Sequence, residues 1–288
     1  MDLCNINDIK FLLAKHGFRF SKSKGQNFLT AAWVPHDIAD GSGASEGCGV
    51  LEIGPGFGCL TEQLCLRAGK VVAIEVDETL RPVLAETVGR FENLEIIFGD
   101  ALKADLPALV REKFAGLRPL ACANLPYYIT SPVLAALLEA RCFESVTVMV
   151  QKEVADRICA RPGTHDYSAF SVLCQFYSEP EKLFDVPASC FIPRPKVTSS
   201  VVRLTCRTED PCGIEDEALF LRTVRAGFAL RRKTLVNSLA TGFSALSKAQ
   251  LTEAVERAGL SPAVRGEALG LAEFAELARE LGRMLEGA

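Results

Sequence analysis

The sequence predicts an α/β protein: a parallel sheet with helices on both faces, followed by a small all-helical domain. Three observations predict it. From about residue 50, short apolar runs alternate with amphipathic, helix-like segments, as strands buried on both faces require. A glycine-rich turn, "GPGFG", separates the first run from the first helix-like segment. A turn-rich stretch near residue 210, "RTEDPCGIEDE", is followed by strongly helical sequence.

The elements follow in order. "VLEI" (50–53) is a strand ended by Gly-Pro-Gly, and "LTEQLCLRAG" has helical spacing and a terminal glycine. "VVAIEV" (71–76) is the next strand and "ETLRPVLAETVGR" the next helix. "LEIIFG" (94–99), "LACA" (120–123) and "SVTVMV" (145–150) complete the parallel series, with the helix-like "PVLAALLEA" between the last two. "DYSAFSVLCQFYSE" reads as a helix capped by Asp166 or Ser168. "KLFDVP" and "SSVVRLTC" read as two further strands joined by the proline-rich "CFIPRPKV". Beyond the turn-rich boundary, "ALFLRTVRAGFAL", "KAQLTEAVERAGL" and "LAEFAELARELGRML" are helical. The expected domains are 1–209, with residues 1–24 as an N-terminal extension, and 210–288. Ligands in such parallel sheets bind at the carboxyl ends of the strands.

Composition narrows the class. The 288 residues can bury a sizeable core, and 49% hydrophobic with 24% charged residues is ordinary for a soluble protein. No apolar run approaches the ~20 residues of a membrane-spanning helix, and the N-terminus, with its early Asp2, does not read as a signal peptide. A cytoplasmic protein without a membrane partner is expected. The 11 cysteines form no CxxC pair, and His16, His36 and His165 do not cluster with them. No metal site is predicted, and the thiols read as reduced, buried apolar residues. The net charge of −4 excludes a uniformly basic surface but not local basic clusters.

Candidate binding groups fall at successive strand ends. "LEIGPGFGCLT" sets Gly54, Gly56 and Gly58 between a strand and a helix, where glycine lets the backbone approach a ligand. The spacing is G-x-G-x-G. A dinucleotide fingerprint needs G-x-G-x-x-G, and its last glycine would fall on Cys59. Glu75 ends the second strand, where a carboxylate can accept both hydrogen bonds of a ribose diol. Asp100 ends the third and can bond an adenine edge, and Asn124 ends the fourth. Around a glycine loop these make one rim, suited to S-adenosylmethionine, which carries adenine, a ribose diol and an amino-acid end but no phosphate.

The fourth strand end continues as "ANLPYYITSP" (123–132). The Asn124 side-chain carbonyl and the backbone carbonyl of Leu125 or Pro126 can accept hydrogen bonds from an exocyclic amine. Adenine's amino lone pair is delocalised into the ring. Two acceptors holding its hydrogens favour the pyramidal geometry in which that pair can attack. Pro126 fixes the backbone and has no N–H to compete, and Tyr127 offers a ring face to stack the base. Orientation and preorganised electrostatics would carry the catalysis.

"NLPY" with "EIGPGFGCLT" resembles the motifs of N6-adenine methyltransferases. "KGQNFL" (24–29), "QKEVADRICARPGTHDYSAFSVLCQFY" (151–177) and "FIPRPKVTSSVVRL" (191–204) are similar to the ribosomal RNA adenine dimethyltransferase family. The five motifs run in family order from about residue 20 to 240. The resemblance implies a Rossmann-like, S-adenosylmethionine-dependent methyltransferase sheet. It implies cofactor contacts at Asn27, Leu29, Gly54, Glu75, Asp100 and Asn124, in agreement with the rim read above, to which Gly56 also belongs. It further implies that Phe191 stacks the target base opposite Tyr127. Family members often carry Asn after the NLPY tyrosine, and this chain has Tyr128, which alters the pocket wall.

The implied substrate is a pair of adjacent adenosines in a hairpin loop near the 3′ end of 16S rRNA, each dimethylated at N6, and the implied partner is the small ribosomal subunit. Candidate phosphate contacts are Lys22, Lys24, Arg194, Lys196, Arg225, Arg231, Arg232 and Lys233. The run from Arg222 to Lys233 stands out because no acidic residue interrupts it. A monomer is expected. Two alternatives remain at this point: a large-subunit adenine methyltransferase of the erythromycin-resistance type, and a catalytically idle RNA-binding assembly factor.

Overall fold

The apolar runs between residues 48 and 151 form five adjacent parallel strands. The computed structural model describes residues 2–17 and 27–286. The strands are β1 (Phe28–Leu29), β2 (Cys48–Ile53), β3 (Lys70–Glu75), β4 (Leu94–Phe98), β5 (Arg118–Asn124), β6 (Ser145–Gln151), β7 (Ser178–Val186), β8 (Phe191–Ile192) and β9 (Ser199–Cys206). The helices are α1 (Ile6–Lys15), α2 (Trp33–Ser42), α3 (Cys59–Cys65), α4 (Arg81–Thr87), α5 (Leu106–Lys113), α6 (Thr130–Glu139), α7 (Lys152–Ile158), α8 (Ala169–Tyr177), α9 (Glu217–Phe228), α10 (Leu235–Leu239), α11 (Lys248–Arg257) and α12 (Leu271–Glu286). The chain forms two compact units, one of 1–155 with 178–206 and one of 156–177 with 207–288.

In the first unit the sheet order is β4-β3-β2-β5-β6-β9-β7. The first five strands are parallel, and β9 runs antiparallel between β6 and β7. Every residue of β2 is buried, because this central strand has sheet neighbours on both edges and helices over both faces. Burying a side chain such as Leu51 contributes roughly 1.5–3 kcal/mol. From β2 the chain steps outward to β3 and β4, and the connection after β4 crosses back to set β5 on the other edge of β2. Strand order reverses there, which opens a crevice at the carboxyl ends of β2 and β5. The parallel register sets Ile53 beside Ile74 and Ala123, so the strand-end residues emerge together.

A separate two-stranded ribbon pairs β1 with β8, Phe28 opposite Ile192 and Leu29 opposite Phe191. It joins the segment around Asn27 to the proline-rich segment more than 160 residues later. Helix α2 was not legible in the sequence, because Pro35, Asp37 and Gly41 obscure its period. It forms because Val34, Ile38 and Ala39 are fully buried, and the helix packs against β6 and α3. Packing overrides weak propensity here.

The second unit is helical. Phe220, Phe243 and Phe274 are fully buried in it. Gly227 lies where a Cβ would come within 2.8 Å of the Phe274 ring, which lets α9 approach α12 closely. A capping box of Ser247 and Gln250 starts α11. The segment 156–177, assigned from sequence to the first domain, is grouped with this unit. Phe176 packs on Phe220 with ring centroids 4.8 Å apart. The Tyr177 hydroxyl donates to Glu217, and Gln175 Nε2 donates to the Ala160 carbonyl at 2.8 Å. A helix between two strands reads as one more crossover in sequence, and only its contacts reveal the other grouping.

A candidate active site at the carboxyl edge of the sheet

A cavity of about 290 Å³ opens where the strand order reverses. The glycine loop forms its floor. Gly56 has φ +58°, and Gly58, at φ +92°, lies where a Cβ would come within 2.6 Å of Val88. Both positions exclude a side chain, the first on conformation and the second on conformation and space. The loop is tied to β3 through its side chain of greatest interest. Glu75 Oε2 accepts from Gly56 N at 3.3 Å, and Oε1 accepts from Asp77 N at 2.8 Å. Glu75 is buried, and that burial raises its carboxyl above the ordinary value despite these bonds.

Asp100 follows β4 and lines the cavity. One of its oxygens accepts from Leu102 N at 3.0 Å, which fixes the turn that starts a short 3₁₀ helix. Val76 and Leu102 add exposed apolar surface to the same wall. On the N-terminal side, Asn27, Phe28 and Leu29 line the cavity, and the Phe28 ring stacks on Phe57 of the glycine loop at 4.0 Å.

The opposite wall is the corner Asn124-Leu125-Pro126-Tyr127-Tyr128. Leu125 N donates to the Met149 carbonyl at 3.3 Å, which holds the corner to β6. The Pro126 carbonyl already accepts from Ile129 N at 3.1 Å and from Thr130 Oγ1 at 3.3 Å. Of the two backbone acceptors left open by the sequence, the Pro126 carbonyl is thus the one already engaged within the corner. The Tyr127 hydroxyl bonds Ser199 Oγ at 2.8 Å. Tyr128 is 59% exposed at the mouth.

The cavity also holds a buried acid that the sequence reading does not single out. Glu52 is 1% exposed inside β2, and its Oε2 has no hydrogen-bond partner. Burial outweighs the opposing influence of the neighbouring Thr61 hydroxyl and, with the nearby Glu75 carboxylate, raises its carboxyl to about 8. A carboxyl in the middle of an otherwise apolar strand was the available signal. A buried oxygen without a partner on a cavity wall fits a ligand that brings a donor, and the ammonium of S-adenosylmethionine is one.

The same group makes a stability prediction. Between the ordinary 4.5 and about 8, the folded protein holds a proton on Glu52 that the unfolded chain has lost. The unfolded state then binds fewer protons, so this group's contribution to stability falls as pH rises through that window. Glu52→Gln should therefore raise the melting temperature more at pH 8 than at pH 5, read by thermal denaturation of the ligand-free protein. A pH-independent difference would contradict the buried neutral carboxyl.

The structure brings together Asn27, Leu29, Gly54, Gly56, Glu75, Asp100 and Asn124 to Tyr127 around one cavity. It does not bring Phe191 to the cavity wall. That ring is 5% exposed and belongs to the core cluster that includes Phe28 and Leu29, because the β1–β8 pairing sets it opposite Leu29. Lys22 and Lys24 lie outside the described residues. Arg194 and Lys196 are exposed on the loop after β8.

In the helical unit Arg225, Arg231, Arg232 and Lys233 are exposed. Their run is free of acids in sequence but not in space. Arg231 lies 3.6 Å from Glu267 and donates to the His165 carbonyl. Arg225 Nε donates to the Leu221 carbonyl at 3.1 Å.

Known proteins resemble this chain in sequence and in fold. A small-subunit ribosomal RNA methyltransferase A of Geobacillus thermodenitrificans is 46% identical over 97% of this chain and 97% of its own length. The solved dimethyladenosine transferase of Plasmodium falciparum superposes with a TM-score of 0.72 at 25% identity, covering 88% of this chain and 97% of the other. The solved 23S rRNA methyltransferase ErmE gives 0.66 at 26% identity, covering 88% and 99%. The sheet that ends in this cavity is thus that of the S-adenosylmethionine-dependent RNA methyltransferases. The family model described as ribosomal RNA adenine dimethylase matches residues 17–281, and the chain belongs to that family.

Proposed function

We propose that this protein transfers methyl groups from S-adenosylmethionine to N6 of two adjacent adenosines in the 3′-terminal hairpin loop of 16S rRNA. It acts on the small ribosomal subunit, as a cytoplasmic monomer without a membrane partner. The observation that carries the reading is a single cavity walled on one side by Glu52, Gly54, Gly56, Glu75 and Asp100 and on the other by Asn124 to Tyr127. No helix among the described residues is long and apolar enough to cross a membrane. The small-subunit relative at 46% identity favours this substrate over large-subunit RNA. The kept carboxylates and glycines of the rim favour an active enzyme over an idle scaffold.

In this reading Glu75 takes the ribose diol, Asp100 the adenine edge and Glu52 the ammonium, while Asn27 and Leu29 close the N-terminal side. The cofactor, when bound, supplies an electrophilic methyl on a sulfonium centre. The chain supplies the rest. Asn124 Oδ1 and the Leu125 carbonyl accept the two hydrogens of the target amine and leave its lone pair pointing at the donor. The Tyr127 ring stacks the extruded base, and extrusion costs less from a loop than from a duplex. No strong base is needed at the amine, since the alkylated nitrogen is acidic enough to lose its proton to water. Phe191 supports Leu29 from behind, and its ring would reach a bound base only by leaving the core.

Lys22, Lys24, Arg194, Lys196 and the Arg225–Lys233 cluster hold the RNA backbone. Reversing Arg232 and Lys233 to Glu should weaken subunit binding, and the slope of log affinity against log salt should drop by about one to two. Cofactor affinity should stay as it was. An unchanged slope would reduce the cluster to a solvated face.

The reading is tested by incubating the protein with labelled S-adenosylmethionine and either unmethylated small subunits or large-subunit RNA. Label on small-subunit RNA, mapped to two neighbouring adenines, is expected. Label only on large-subunit RNA, or none on either, would overturn it.

A further inference from the structure

Tyr127 lines the cavity, and its hydroxyl bonds a residue that does not line it. That partner, Ser199 Oγ, lies 2.8 Å away. Ser199 is the first residue of β9 and is completely buried. It sits opposite Gln151 of β6 and Val186 of β7, so a strand on each side fixes its backbone. Its neighbour Ser200, also completely buried, donates to Asp185 at 2.6 Å. Successive strand residues face opposite ways. The two serines thus serve different partners, and Asp185 does not compete for Ser199.

A buried hydroxyl in a strand that continues Val201-Val202 is costly unless it is bonded, and the tyrosine supplies the bond. The ring is then held at both ends. The Pro126 carbonyl, bonded by Ile129 N and Thr130 Oγ1, fixes the backbone end. Ser199 fixes the phenol end. A ring tethered only at its backbone can swing about χ1, whereas one tethered at both ends presents a fixed face.

We infer that Ser199 is a positioning residue for methyl transfer: it pins the Tyr127 ring as a preset platform for the extruded adenine. This rests on the function proposed above. It also gives the "VTSS" segment, 72 residues from Tyr127 in sequence, a task at the site. One neutral hydrogen bond of this kind is worth about a factor of ten. Ser199→Ala should thus lower kcat/KM for unmethylated small subunits about tenfold, with cofactor affinity unchanged.

The experiment is a double-mutant cycle of S199A with Y127F. It has two readouts: methyl transfer, and affinity for an unmethylated hairpin RNA in the presence of S-adenosylhomocysteine. If Ser199 acts through the tyrosine, S199A costs about tenfold alone and close to nothing in the Y127F background, in both readouts. Equal losses in both backgrounds, or loss of cofactor affinity in parallel, would make Ser199 a packing residue and overturn the inference. Should S199A fail to fold, Y127F decides, since it removes only the hydroxyl; wild-type rate and affinity in Y127F would overturn it. A wild-type protein that transfers no methyl to any RNA would sink the proposed function and this inference together. An active wild type with additive losses would sink the inference alone.

Discussion

Replacing Asn124 by Ala should lower the single-turnover rate of methyl transfer by about 10²–10³-fold, the usual cost of deleting one preorganised polar group at a reacting centre. Asn124 ends β5 and shares the cavity wall with Leu125. With the Pro126 carbonyl engaged by Ile129 N and Thr130 Oγ1, only the Leu125 carbonyl would remain to hold the amine. One acceptor cannot fix both amine hydrogens, so the lone pair returns to conjugation with the ring. Cofactor affinity, measured by equilibrium dialysis, should fall far less than the rate, because the adenine, ribose and ammonium contacts proposed for Asp100, Glu75 and Glu52 survive. Equal losses in rate and affinity would place Asn124 in cofactor binding and leave the amine unheld.

Glu75→Ala should show the opposite split. The Kd for S-adenosylmethionine should rise roughly a hundredfold, from the loss of hydrogen bonds to a charged acceptor at about 1.5–3 kcal/mol each. The rate at saturating cofactor should change little by comparison. The carboxylate also accepts from Gly56 N and Asp77 N, so its removal loosens the glycine loop as well as the proposed ribose site. Glu75→Gln keeps one acceptor oxygen and should lose less. A variant that binds cofactor like the wild type would remove Glu75 from the site.

Much of this was legible in the sequence because strand ends are local events. "EIGPG", "IEVD", "FGDA" and "ANLPY" each break an apolar run with a polar or glycine residue, and a parallel sheet sets such breaks along one edge. What was not legible depends on contacts between distant segments. The β1–β8 ribbon turns Phe191 into the core behind Leu29, and nothing near Phe191 in sequence announces that pairing. Glu267 reaches Arg231 from a later turn, so an acid-free run acquires an acid in space. Ser199 and Tyr127 belong to strands and turns that meet only through the antiparallel pairing of β9 with β6. Glu52 shows in the sequence only as one residue of a strand, since burial and the missing partner are properties of the fold.

The most direct measurement is a crystal structure of the protein with S-adenosylhomocysteine and a hairpin RNA carrying two adjacent adenosines. The account predicts the cofactor product along Glu75 and Asp100. It predicts one adenine flipped into the same cavity, with N6 about 3 Å from both Asn124 Oδ1 and the Leu125 carbonyl, the amine facing the sulfur. A base bound outside that cavity, or a cofactor held away from the glycine loop, would contradict it.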